Sequence, residues 1–315
     1  GNSHTLKVAG NELEMGLRGL LGKNITAVAA IKKDGIIIAG TPGNSPFIAS
    51  LNLKDKLAKV NEEGYIIVNA KYKKKQIIVI AANKDIGVLY GTFHFLRLLQ
   101  IHQSLTGLSV ESSPKIKLRM LNHWDNLDGT IERGYAGMSL WDWDSLPGSL
   151  SPRYIDYARA NASIGINGTV LTNVNANALI LTKEYLVKVA ALADIFRPYG
   201  IKVYLTARFS APVEIGNLNT ADPLDPAVID WWKKKAVEIY SYIPDFGGFL
   251  VKANSEGQPG PQNYNRTHAV GANMLADALA PYSGVVMWRA FVYSNDVPED
   301  RTKQAYNEFV PLDGL

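Results

Sequence analysis

Apolar positions along this chain follow two rhythms, and the change falls near residue 115. Before it, short apolar runs alternate with polar turns. Residues 27–31 and 36–39 flank Lys33-Asp34-Gly35, and residues 65–70 and 76–81 flank the lysine turn at 73–75. Both pairs predict β-hairpins. Then Ile86, Val88, Leu89, Phe93, Phe95, Leu96 and Leu99 recur at helical spacing, which predicts a helix over 85–99. After Ser112-Ser113-Pro114, apolar strand-like runs at 118–123, 168–174, 202–208, 248–253 and 284–291 alternate with helical stretches at 152–163, 183–198, 226–242 and 267–280. Repeated strand–helix units with nearly continuous apolar strands predict a parallel sheet, and a (β/α)₈ barrel leads. A doubly wound open sheet would alternate in the same way, but no Gly-rich phosphate turn follows these strands.

The expected fold class is therefore α/β: a small N-terminal α/β domain over 1–114, then a TIM-type barrel over 115–315. Five barrel strands are readable, where closure takes eight, so the barrel looks incomplete at its C-terminal side. An open sheet edge there would invite pairing with a second copy, and a homo-oligomer through that edge is an expectation.

Composition narrows the function. With 47% hydrophobic and 20% charged residues in 315, this is an ordinary globular composition. A net charge of +4, carried by scattered lysines, argues against nucleic acid as a partner. No apolar run reaches membrane-spanning length. The chain has no cysteine, and His4, His94, His102, His123 and His268 show no ligand spacing, so neither metal nor cofactor is expected. Gly1 in place of Met is compatible with a removed leader, which tilts the expected location toward the periplasm or the cell exterior.

Barrel enzymes carry their chemistry at the C-terminal ends of the strands. Here those ends are polar: His123-Trp124-Asp125-Asn126, Asn173-Val174-Asn175, Arg208, then Lys252, Asn254 and Glu256, and last Arg289 and Tyr293. The first continues through Asp128, Glu132 and Arg133 to Trp141-Asp142-Trp143-Asp144, where indole faces beside carboxylates and amides suit a sugar; the bland alternative is a Trp-rich packing corner. Glu256, in Val251-Lys252-Ala253-Asn254-Ser255-Glu256-Gly257, stands where a general acid for glycoside cleavage would stand, although a turn acid paired with Lys252 would look the same. Lys252 and Arg289, aimed at one rim, favour an anionic sugar, since an arginine can grip a carboxylate with two bonds.

The segments HWDNLDGTIERGYAG, WDWDSLP, VKANSEGQPGP, RTHAVGANMLADAL and MWRAFVY together resemble the α-glucuronidases of glycoside hydrolase family 67. The resemblance covers most of 116–314 and suits a small α/β domain ahead of a barrel. It implies release of (4-O-methyl)glucuronic acid, with inversion, from glucuronoxylan-derived oligosaccharides. It also implies Glu256 as general acid and Lys252 and Arg289 as contacts to the glucuronate. Trp124 would wall the pocket, and Val174 would face the substituent at the sugar O4. Asp125, Asn173, Arg208 and Asn254 occupy matching strand ends. The chain departs from the family pattern at Val270, where an acid is usual, and at Asn265, where a glycine is usual. Residues 310–314 look like the approach to the family's sixth barrel segment, so the chain reads as a front portion without the water-activating carboxylates. Asp125, Asp128, Glu132, Asp142 and Asp144 are the acids at hand to replace them. Two other readings stay open: a non-catalytic binding protein for acidic sugars, and a barrel lyase or isomerase acting on them.

Overall fold

Two eight-residue strands, β2 (Tyr65–Tyr72) and β3 (Lys75–Ala82), form the centre of the first sheet in the computed structural model, which describes residues 3–175, 177–255, 257–289 and 308–309. They pair antiparallel across Lys73-Lys74, both at positive φ (43° and 67°), a turn whose twist matches that of the strands. This is the hairpin expected from the sequence. The other expected hairpin is corrected: β1 (Ile36–Gly40) pairs parallel with β3, and residues 27–31 form no strand. Asp34 explains the choice, because its carboxylate and the Gly35 N–H bond the Gln76 backbone and feed β1 alongside β3. With β4 (Ser109–Ser112) beside β2, the sheet order is β1-β3-β2-β4.

Both faces of this sheet are covered, which is why its strands read as unbroken apolar runs. One face buries Ile66, Val68, Ile77, Val79 and Ala81 with Ile48, Leu57 and Val60. The other buries Ile67, Ile78 and Ile80 under Leu17 of α1 (His4–Leu21) and Phe95, Leu96 and Leu98 of α2 (Asp85–Gln100). Helix α1 lies outside the expected elements. Its N-terminus is capped by the Ser3 hydroxyl, which accepts from Leu6 N–H at 3.4 Å.

The chain divides into two compact units, Gly1–Arg119 with Pro152–Asn167 and Ile195–Ile201, and Met120–Ser151 with Gly168–Asp194 and Lys202–Leu315. The first therefore includes α3 (Pro152–Ser163). A buried carboxylate ties it together. Glu12 of α1 accepts from Arg159 Nε at 2.8 and 2.9 Å and from the Tyr199 hydroxyl at 3.1 Å.

The second unit holds five parallel strands in order β5 (Met120–Asn122), β6 (Gly168–Val170), β7 (Lys202–Thr206), β8 (Gly248–Val251) and β9 (Val285–Trp288). The sheet curls as half of a barrel, with α4 (Lys183–Phe196), α5 (Pro226–Tyr242) and α6 (His268–Leu279) alternating between its later strands. The α/β class expected from the sequence holds. The strands are shorter than their apolar runs, but ladder-type bonds continue past them: His123 N–H to Val170 O, Leu171 N–H to Tyr204 O, Ala207 N–H to Leu250 O and Arg289 N–H to Val251 O, at 2.9–3.2 Å.

Met120, Val170, Tyr204, Leu250, Val285 and Met287 pack together on the inner face of this sheet. The Tyr204 ring fits there because Gly168 and Gly247 lack side chains; a Cβ on either would fall 2.8 Å or less from its ring atoms.

Glu12→Ala should lower the stability of the first unit by about 2–4 kcal/mol, since it leaves Arg159 and Tyr199 without their shared acceptor. Chemical denaturation followed by a probe in this unit measures it, and a loss under about 0.5 kcal/mol would mean the cluster is a solvated surface pair.

Candidate active site

Period-two alternation decides which residues reach the mouth of the half-barrel. Continuing along each strand from the inner-face cluster gives Thr172 and Val174 after β6, Thr206 and Arg208 after β7, Lys252 after β8 and Arg289 after β9. The buried Thr172 and Thr206 hydroxyls lie 2.6 Å apart, as neighbours on one face must.

Expected site residues occupy this rim in different ways. Val174 is buried against Val170, Tyr204 and Leu250 and extends the apolar floor. Lys252 is 3% exposed and donates to the Asn175 side-chain oxygen at 2.7 Å. Arg289 carries a buried Nη1 with no hydrogen-bond partner among the described residues. Arg208 pairs with Glu214 and donates to Gln258 Oε1 at 3.1 Å. Asn254 holds a left-handed backbone, φ 50°. Glu256, the expected acid, lies outside the described residues, as does Tyr293.

The loop after β5 folds on itself through amides. Asn126 Nδ2 donates to Thr130 Oγ1 and the Glu132 carbonyl, and Asn173 Nδ2 donates to Asn126 Oδ1 at 3.0 Å. Asp125, buried, accepts from Ser139 Oγ at 2.6 Å and Leu140 N–H at 3.2 Å, while His123 Nδ1 lies 3.5 Å from its other oxygen. Burial pushes the Asp125 carboxyl up, but hydrogen bonds from His123, Ser139 and Leu140, with the His123 charge, outweigh it and hold it below the usual range. Asp128 is likewise held low, by the Thr130 hydroxyl and N–H.

One expectation about this loop is corrected. Trp141 and Trp143 are 1% and 3% exposed, so their rings are core and not sugar platforms. Trp141 donates to the Leu171 carbonyl at 3.0 Å, and Trp143 meets Tyr185 edge-on at 5.9 Å. Alternation turned both indoles inward and left Asp142 and Asp144 outside. Trp124 keeps an open face, 36% exposed.

Two clefts border the loop. The first, about 270 Å³, is lined by Asp125, Asn126, Leu127, Asp128, Thr172, Asn173, Asn175, Asn177 and Ile180. The second, about 260 Å³, runs from Leu127 and Asp128 past Met138 to Trp141, Asp142, Trp143 and Asp144. Of the expected residues, Asp125 and Asn173 line the first cleft. Asn175 and Asn177 were not singled out as site residues, although their signal is plain: amides at every second position after β6, each offering both a donor and an acceptor. Among the described residues no three His, Asp or Glu form a metal-binding group, and no helix is long and apolar enough to cross a membrane.

Amides, carboxylates and cations gather at the C-terminal rim of a curled parallel sheet, the face where (β/α) barrel enzymes carry their active sites. The chain belongs to glycosyl hydrolase family 67: the family's middle domain matches residues 98–315 and its N-terminal domain matches 1–95. Among curated proteins it is 42% identical over 318 residues to the "Probable alpha-glucuronidase A" of Aspergillus fumigatus, covering 99% of this chain and 37% of that protein. It is 40% identical over 321 residues to the "Alpha-glucuronidase A" of Emericella nidulans, covering 98% and 37%. The chain thus spans little more than a third of these relatives. Its fold resembles a GH115 4-O-methyl-alpha-glucuronidase with specificity for decorated arabinogalactans (TM-score 0.61, 15% identity, 99% of this chain and 42% of that one). It also resembles a GH138 enzyme targeting pectin rhamnogalacturonan II (TM-score 0.55, 16% identity, 90% and 41%).

A carboxyl held low in the folded state stabilises it above the unfolded pKa, near ~3.9, and that contribution drains as the pH falls through the folded value. Asp125→Asn should therefore cost about 1–3 kcal/mol near neutral pH, with the deficit shrinking as the pH falls below the unfolded carboxyl pKa. Unfolding free energies of both proteins across that range measure it, and a pH-independent deficit would refute the assignment.

Proposed function

We propose that this chain carries the acid and the acidic-sugar pocket of an α-glucuronidase that releases (4-O-methyl)glucuronic acid from xylo-oligosaccharides by an inverting acid/base mechanism. The observation that supports it most is the pair of cations on the inner face, Lys252 buried and Arg289 with a buried, unpartnered Nη1 among the described residues. A guanidinium nitrogen without an acceptor is costly, and a sugar carboxylate supplies one. Family membership and relatives named alpha-glucuronidase point the same way.

In this reading the catalytic part begins at residue 115, Glu256 protonates the leaving oxygen, and Lys252 and Arg289 bind the uronate. Trp124 packs on the sugar, Val174 lies under the O4 substituent, and Asp125, Asn173, Arg208 and Asn254 complete the rim. The base that activates water belongs to the part of such enzymes that these 315 residues do not match. Three of the rim acids already have partners: Asp125 with Ser139, Asp128 with Thr130 and Glu214 with Arg208. An inverting pair stands roughly 6.5–9.5 Å apart to admit that water.

Calorimetric titration of the 315-residue chain should show glucuronic acid binding more tightly than glucose. Arg289→Lys should weaken it by about 1–3 kcal/mol, because a point charge replaces a two-pronged donor. Equal binding of glucose would sink the acidic-sugar reading. The same chain should leave aldouronic acids uncleaved, and turnover would mean that the base lies within it.

When these residues are joined to the remaining barrel segments, Glu256→Ala should abolish cleavage of natural glycosides. An activated aryl glucuronide, which needs less protonation, should suffer far less. An equal loss on both substrates would remove Glu256 from the acid role.

A further inference from the structure

Arg266-Thr267-His268 carries part of the family resemblance but opens helix α6 rather than ending a strand. Each residue has its own attachment. Arg266 Nε and Nη2 grip Asp222 at 3.1 and 2.9 Å. The Thr267 hydroxyl caps the helix by accepting from Val270 N–H at 3.3 Å. His268 is fully buried, its backbone N–H donates to Glu308, and its Nδ1 lies 3.0 Å from the Trp288 indole nitrogen. An indole N–H can only donate, so Nδ1 accepts and the ring proton sits on Nε2. Nε2 is buried with no hydrogen-bond partner among the described residues. Burial also holds the imidazole below its usual pKa despite the Glu308 charge, which keeps Nδ1 able to accept.

Stability alone does not explain this pair, since an apolar side chain of similar shape would avoid the unmet N–H. Its location does suggest a role. Trp288 ends β9 and directly precedes Arg289, so the strand's alternation turns the indole outward and the guanidinium inward. The indole is hemmed in by His268 at 5.8 Å between ring centres and by Phe209 at 6.2 Å, both edge-on. Gly271 closes the third side, where a Cβ would come within 3.0 Å of the ring. Shape restrains the indole against sliding, and the single directional bond restrains its rotation.

We infer that His268 is a positioning residue for Arg289: its bond to Trp288 fixes the roll of strand β9 and so the place where the guanidinium meets the ligand carboxylate. The inference rests on the reading of Arg289 as the uronate clamp. Two-pronged pairing tolerates little displacement, so loss of the bond should appear in affinity as well as in stability.

The test is calorimetry of the 315-residue chain and its variants with glucuronic acid and with glucose, beside thermal melts that confirm folding. His268→Phe and Trp288→Phe should each weaken glucuronic acid binding about tenfold relative to glucose, and the double variant should be no worse than either single one. His268→Asn, whose amide oxygen can take the Nδ1 position, should recover most of the affinity. A purely structural role would lower the melting temperature and leave the ratio of the two sugars unchanged, and that result would overturn the inference. So would additive losses in the double variant. If His268→Phe does not fold, Trp288→Phe decides the matter by the same ratio. A wild-type chain that does not prefer glucuronic acid over glucose would instead bring down the reading of Arg289, and this inference with it.

Discussion

Alternation along the five parallel strands is the constraint on which the rest depends. Once Met120, Val170, Tyr204, Leu250 and Met287 are committed to the inner face of a curled sheet, the next residues of that parity have no freedom of direction. Thr172, Arg208, Lys252 and Arg289 come to the mouth because apolar residues lie beneath them. Cations would not gather there by their own chemistry, since like charges repel and burial costs each of them solvation. The apolar floor makes the polar rim, and Tyr204, admitted by two glycines, is part of that floor.

Charge on the rim is shared unevenly. Asp125 is held by Ser139 and Leu140, Glu214 by Arg208, and Asp222 by Arg266, so these carboxylates fix loops in place. Lys252 meets the amide oxygen of Asn175. One nitrogen of Arg289 meets no acceptor among the described residues. These three carboxylates are thus tied into the scaffold, while Asp128, Asp142 and Asp144 line the clefts.

Much of the barrel was legible because its helices are amphipathic and its strands apolar on both faces. The helices at 152–163 and 226–242 fall at the expected residues. The strand ends were less so, since Leu171 and Val174 extend the apolar run of β6 past Val170, where the strand ends. Residues 27–31 failed as a strand because periodicity cannot say which partner a strand prefers, and Asp34 bonding Gln76 settled that across 42 positions. The Trp-rich run misled for a related reason. Composition marks indoles beside acids as a sugar site, yet Trp141 and Trp143 share one parity and turn inward together. Among the residues that line the first cleft, Asp125 and Asn173 were singled out by the strand-end rule. Asn175 was read only as part of a polar strand end and Asn177 not at all, although both continue the alternate-position amides that begin at Asn173.

Leu127 and Asp128 form part of the wall of both clefts, at the tip of the turn closed by the Asn126 N–H to Thr130 O bond. A partition has two sides but one thickness. Any change of side-chain bulk at this tip takes space from one chamber or the other, and a change of charge is felt in both. Substitutions there cannot probe either cleft in isolation. Independent handles are residues that line one cleft alone, such as Asn175 and Asn177 on one side and Met138 and Asp144 on the other.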